Sequence, residues 1–353
     1  MSNIYYASSE KLTAFFSQLK VSHKVFSPVV RDPSSPKAEY CYQNPHKENQ
    51  LIDNAYRTLE PLKSFFTNNY EKVADYFSPE KNITEVQEKT VIFGIKACDI
   101  VGHKIQDFVF LEGTEVDEVY RLRRESTVLI SSDCTDFLDV CHCLAWDILP
   151  HPVSGFDLNL SKLNDGYLVE VGSKRGSELL SRFEGSFIPA KESQVSARNA
   201  KRENLITRLK AHLAPQNLVS KDIVQKLMKD GFNLDTWKEF MLTCIECGGC
   251  NLICDTCHCF LLADKTTDGM NAKVRIWDSC LYANYARVAG GANPLKLRAH
   301  RLRNRFMKKF DFFVDNLGMP ACCGCGRCIE VCPGKIDIRE VLKDLAKKLN
   351  LNS

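Results

Sequence analysis

Two stretches of this chain carry cysteines at the spacing Cys-x2-Cys-x2-Cys-x3-Cys, and no other feature constrains its fold as tightly. The first run, in TCIECGGCNLICD, places Cys244, Cys247, Cys250 and Cys254; the second, in CCGCGRCIEVCP, places Cys322, Cys325, Cys328 and Cys332. Four thiolates at this spacing form the ligand run of a bacterial-type [4Fe–4S] cluster. Cysteines at i, i+3 and i+6 on a tight turn can wrap one inorganic cube. Gly324 and Gly326 remove side chains where the backbone must curl closely and aim its amides at the sulfides. Zinc is the competing use of such thiols, but zinc motifs separate their Cys-x-x-Cys pairs. The fourth cysteine of a run often points toward a different cluster. By analogy with two-cluster ferredoxins, Cys332 is expected to complete the cube of Cys244, Cys247 and Cys250, and Cys254 that of Cys322, Cys325 and Cys328. Cys325, Cys328 and Cys332 fix the register, so Cys322 is the ligand and Cys323 the spare.

A chain of 353 residues is long enough for two or three domains with buried cores. A net charge of +3 points neither to nucleic acid nor to a membrane surface. No apolar run approaches the roughly 18 residues a membrane-spanning helix needs, and MSNIYYASSEKL lacks the basic start and apolar core of a signal peptide. The 17 cysteines sit at metal spacings in a long chain, so they read as ligands in a reducing, anaerobic cytoplasm and not as disulfides.

Before the runs the texture is different. Residues 8–20 read as a capped amphipathic helix with Leu12, Phe15, Phe16 and Leu19 on one face. A short strand over 24–30 follows, then a turn-rich segment with Pro33, Pro36 and Pro45, where Cys41 reads as a buried free thiol. Residues 90–95, 127–132 and 166–172 read as strands, and 96–111 as a loop and helix, which together suggest an α/β layer. No Gly-x-Gly-x-x-Gly turn or phosphate loop occurs, so no motif supports a flavin or nicotinamide site. Cys98, Cys134, Cys141 and Cys143 follow strand ends, which neighbouring strands bring together. They match no contiguous cluster spacing, and two readings stay open: a third [4Fe–4S] cluster, or a mixture of buried thiols. His142 reads as a hydrogen-bonding neighbour.

The fold class expected is α+β: an N-terminal α/β domain (1–195), a helical linker (196–233) and a mostly helical ferredoxin-like domain (234–353) with two [4Fe–4S] clusters and a helical insert. The polar helix near 191–213 is expected to be solvated. The insert, residues 255–321, contains Cys257, Cys259, Cys280 and Trp277, read as packing around the first cube. It also holds seven lysines and arginines, with no acidic residue, between 296 and 309. That stretch is a solvated helical face, a docking surface for an acidic partner or a compensator of cluster charge. Without interleaved aromatics it is not a nucleic-acid site. The chain closes on an amphipathic helix with Ile338, Val341, Leu342 and Leu345 as its buried stripe.

Several segments together resemble one family. The first run with its following Cys-x-Cys, then WDSC, AGG-x-NP, an RNR segment and the second run are similar to the beta subunit of cytoplasmic sulfhydrogenase and to the iron–sulfur subunit of anaerobic sulfite reductase. Upstream, ACD, RLRRE-x-TVLI and DGYLVEVGS fit the same family, so the resemblance covers most of residues 90–340. It departs at Ala292, where the family has histidine, and after Cys143. The resemblance implies a non-catalytic electron-relay protein with two [4Fe–4S] clusters on the eight run cysteines. Its partners would be a hydrogenase or sulfite reductase module and a flavin- and NAD(P)-binding subunit, in a hetero-oligomer. The alternative is an enzyme component in which Cys98, Cys134, Cys141 and Cys143 form a third cluster, or a substrate- or flavin-contacting centre, fed by the other two.

Overall fold

A computed structural model describes residues 3–32, 34–35, 37–44, 53–76, 88–183, 185–267 and 270–351; Pro33, Pro36 and Pro45 lie outside them. Along the chain the strands are β1 (Ile4–Ser8), β2 (Lys24–Asp32), β3 (Glu39–Gln43), β4 (Tyr70–Asp75), β5 (Thr90–Ile95), β6 (Thr127–Ser132), β7 (Leu158–Lys162), β8 (Gly166–Val171), β9 (Ile188–Pro189), β10 (Phe260–Thr267) and β11 (Met270–Trp277). The first nine except β4 form one sheet, ordered β3-β2-β5-β6-β7-β8-β1-β9. Its centre, β2-β5-β6-β7, is parallel, and antiparallel strands finish both edges.

Central parallel strands are buried on both faces, so they carry unbroken apolar runs. In β5 and β6, Val91, Phe93, Val128 and Ile130 face a core that includes Leu12, Phe15, Phe16 and Leu19 of the helix Ser9–Ser22. That helix starts as read, with the Ser8 side chain accepting from the Lys11 amide. Ile92, Ile95 and Leu129 face the opposite core, with Phe66, Phe110 and Tyr120. A register irregularity between Phe93 and Ile95 returns Ile95 to the face of Ile92. The helix Ala97–Leu111 leaves β5 at its carboxyl end.

A third core joins the helices Lys221–Asp230, Thr236–Phe240, Arg298–Met307 and Ile338–Lys348. The closing helix buries Ile338, Val341, Leu342 and Leu345, the stripe read from its period. Ala97, Cys143, Trp146 and Ile148 belong to this same core, so the loops at the sheet's carboxyl edge and the cysteine runs are packed into one body.

Two elements differ from the reading. The insert opens on a β-hairpin, β10–β11, whose second strand pairs with β4 from far up the chain. A buried arginine locks that pairing: Arg275 places Nη2 at 2.6 Å and Nε at 2.9 Å from Glu71 Oε1, and also pairs with Asp117. The long polar helix Glu192–Leu213 is not free in solvent; it buries Arg198, Leu205, Ile206 and Leu209, and Arg202 pairs with Asp133 at 2.7 Å.

Candidate metal centre

The two cysteine runs fold alike. In each, the residue before the second cysteine is left-handed (Glu246, φ 60°; Gly324, φ 64°), and so is the residue after it (Gly248, φ 71°; Gly326, φ 74°). Each then enters a one-turn helix, Gly249–Leu252 or Arg327–Glu330. A non-glycine residue at positive φ is costly, and Glu246 is held there by ion pairing to Arg301. At Gly324 no side chain fits, since a Cβ would come within 2.5 Å of the Cys143 amide nitrogen.

The sulfurs divide across the runs. Cys244, Cys247 and Cys250 line one cavity with Cys332, closed by apolar side chains including Leu281, Leu302, Phe306 and Ile338. Gly334 packs so tightly on Thr243, the residue before Cys244, that a Cβ there would meet its carbonyl at 2.2 Å. Cys254 is fixed at the head of the other run instead. Thr256 Oγ1 lies 3.2 Å from Cys254 Sγ and donates to the carbonyl of Ala321, which precedes Cys322, at 2.7 Å. This donor set fits [4Fe–4S] cubes. Among the described residues no three His, Cys, Asp or Glu side chains close on a single ion, and a cube holds its thiolates farther apart than one zinc does.

Cations surround the sulfurs. Arg301, Arg305 and Lys309, spaced four apart, turn inward from the helix Arg298–Met307 and the π-helical turn Lys308–Phe312 that continues it. Lys309 Nζ lies 3.3 Å from Cys254 Sγ and donates to Thr256 Oγ1 and the Ala321 carbonyl. Burial alone would lower its pKa, but the Cys254 and Cys257 sulfurs outweigh that and raise it. Arg305 donates to Asn251 Oδ1 at 2.8 Å. Of the readings of the basic stretch, charge compensation describes these inward residues, while Arg298 stays near the surface on the Cys244 carbonyl (2.9 Å).

The thiols themselves are tuned unequally. The bond from Cys323, with Arg327 and Arg57 adding to it, holds Cys325 below the usual cysteine range. Burial pushes Cys322 up to about 11 and Cys328 up to about 12. Such thiols deprotonate with metal, because the thiolate is the ligand. Asp255, where the second run has Pro333, is fully buried; burial and neighbouring Asp99 push its carboxyl well above the usual range, and its Oδ1 accepts from the Lys63 amide at 2.8 Å.

Cys257 and Cys280 join an asparagine-centred network in place of a cavity wall: Asn251 donates to Cys280 Sγ (3.2 Å) and accepts from Cys257 (3.7 Å). Cys259 contacts Tyr285 Oη at 3.6 Å. Trp277 takes the Lys63 ammonium over its ring at 4.5 Å. The N-terminal cysteines Cys98, Cys134, Cys141 and Cys143 all line one further cavity, with Cys325 also in its wall. His142 is a neighbour, bonding the Val140 carbonyl through Nδ1.

Several working residues carried no motif. Arg57 donates to the Cys325 carbonyl at 2.7 Å, and Arg327, inside the second run, pairs with Asp99 at 2.5 Å while donating to the carbonyls of Thr58 and Glu60. Lys63 donates to the carbonyls of Asn251 and Cys257. Arg57 and Lys63 come from a segment with no regular pattern, so only the fold reveals them.

The family model of the 4Fe-4S dicluster domain matches residues 243–336, spanning both runs and the insert. Over 346 residues, 97% of this chain and 98% of the relative, the sequence is 32% identical to "Sulfhydrogenase 2 subunit beta" of Pyrococcus furiosus. That similarity runs far beyond the cysteines, through the sheet as well as the dicluster domain, and the chain belongs to the sulfhydrogenase beta-subunit family.

Proposed function

We propose that this chain is the iron–sulfur electron-transfer subunit of a multisubunit cytoplasmic oxidoreductase. It relays single electrons between a flavin- or NAD(P)-binding partner and a catalytic module of the hydrogenase or sulfite reductase type. The observation that carries this reading is the division of the eight run cysteines into two adjacent sets, each drawing its fourth member from the other run. Cys244, Cys247, Cys250 and Cys332 would hold one [4Fe–4S] cube, and Cys322, Cys325, Cys328 and Cys254 the other. When bound, a cube supplies one-electron redox chemistry whose potential depends on net charge, hydrogen bonds to sulfur and solvent exposure.

The chain's own residues set those three quantities. Lys309 and Arg305 place buried positive charge beside the sulfurs. Leu281, Leu302, Phe306 and Ile338 keep water from the first set. Exposure differs between the sets: Cys247 is exposed, beside Leu242 (73% exposed) and Ile245 (66%), whereas Cys322, Cys325 and Cys254 are buried. Apolar side chains in the open around an exposed ligand mark a docking surface, and electrons would enter or leave there. The partner assignment rests on the relative, named as one subunit of a sulfhydrogenase.

The test is anaerobic isolation with native partners, followed by iron, sulfide and EPR analysis. Reducible [4Fe–4S] signals, co-purification with a flavoprotein or hydrogenase, and no turnover by the chain alone are the expected results. Turnover of a small substrate by the isolated chain would contradict a pure relay.

A further inference from the structure

We propose that Cys98, Cys134, Cys141 and Cys143 hold a third iron–sulfur cluster, on the far side of the second run from the first. The inference rests on the two-cube relay for its redox partner, but its residues are separate.

Four cysteines from three loops line one cavity at the carboxyl ends of the parallel strands β5 and β6. The space enclosed, ≈ 420 Å³, compares with ≈ 530 Å³ for the cavity of Cys244, Cys247, Cys250 and Cys332. Leu205 and Leu209 of the helix Glu192–Leu213 help close it. As in the runs, the sulfurs do not close on a single ion among the described residues.

A second observation points to bound anionic sulfur. Lys96 is 1% exposed, and its ammonium donates to Ser132 Oγ (2.8 Å) and the Asp133 carbonyl (2.9 Å), both neutral. The nearby Asp133 carboxylate is taken by Arg202, and among the described residues no carboxylate forms an ion pair with Lys96. A buried cation needs a counter-charge. Cys98 and Cys134 are its electrostatic neighbours, and as cluster thiolates they would supply it. Lys96 would then serve this set as Lys309 serves Cys254.

The position makes a wire. Cys328 lines the cavity of the first set, and Cys325 lines the N-terminal cavity. The loop carrying Cys141 and Cys143 is stitched to the second run by the His142 amide on the Gly324 carbonyl, at 2.8 Å. One electron leaving the second-run cube would oxidise it by one and reduce this centre by one, with no bond made or broken.

The test counts iron, acid-labile sulfide and zinc in the anaerobically isolated full chain and in Cys134→Ser/Cys143→Ser. About twelve irons per wild-type chain are expected, against about eight for two cubes alone. The variant should lose one third of its iron and sulfide and keep the EPR signals of the other two. Should the variant not fold, Mössbauer spectra of the 57Fe-loaded wild type decide by the same count. Eight irons with none lost in the variant, or one zinc per chain lost with these cysteines, would overturn the proposal. Iron that survives serine substitution throughout both runs but disappears with Cys134 and Cys143 would instead uphold this site and overturn the two-cube relay.

Discussion

Lys309 shows how single residues set the chemistry: its ammonium, buried among sulfurs, sits 3.3 Å from Cys254 Sγ. Positive charge there favours the more electron-rich state of any cluster Cys254 ligates. Lys309→Met should therefore shift one cluster's potential negative by on the order of tens of millivolts, read by EPR-monitored redox titration, with the other cluster moving less. Gly324 makes the complementary point about space. Its φ of +64° and the 2.5 Å a Cβ would stand from the Cys143 nitrogen leave no room for alanine. Gly324→Ala is expected to cost about 2 kcal/mol or more in unfolding free energy. Gly290→Ala, with nothing within 4 Å of its added Cβ, should stay within about 0.5 kcal/mol. Equal effects at both positions, measured by thermal unfolding, would remove the close approach from the account.

Among elements, what was legible depended on whether the signal was local. The strands Thr90–Ile95 and Thr127–Ser132 were readable because burial on both faces demands short, unbroken apolar runs. The cluster runs were readable because a cube fixes cysteine spacing. The hairpin was not. Leu261 and Leu262 are half-exposed, and the strand that completes its sheet, Tyr70–Asp75, lies some two hundred residues earlier. Nor did the inward row Arg301, Arg305 and Lys309 stand out, since a basic stretch looks the same whichever side faces the core. The convergence of Cys98, Cys134, Cys141 and Cys143 was an open question that only the sheet order could address. The hairpin has its own test. Arg275→Met would leave Glu71 buried beside only Arg123, at a cost of about 3 kcal/mol. The double variant with Glu71→Gln should recover part of that loss in denaturant unfolding, and purely additive losses would show the pair to be uncoupled.

Across the whole molecule, the sheet's carboxyl edge, the long helix Glu192–Leu213 and the dicluster domain share packing, so metal and fold should be linked. Iron removal by chelation under oxidation is expected to expose residues 243–336 to protease first, while the sheet stays protected; simultaneous digestion of both would contradict that order. Crossing of the runs is what turns two motifs into one unit, and ligand exchange is its direct probe. Cys332→Ser, isolated anaerobically and examined by EPR after reduction, should damage the cluster of Cys244, Cys247 and Cys250 and leave that of Cys322, Cys325 and Cys328 intact. Damage confined to the cluster of Cys322, Cys325 and Cys328 would show that each run closes on its own cube, against the crossed relay.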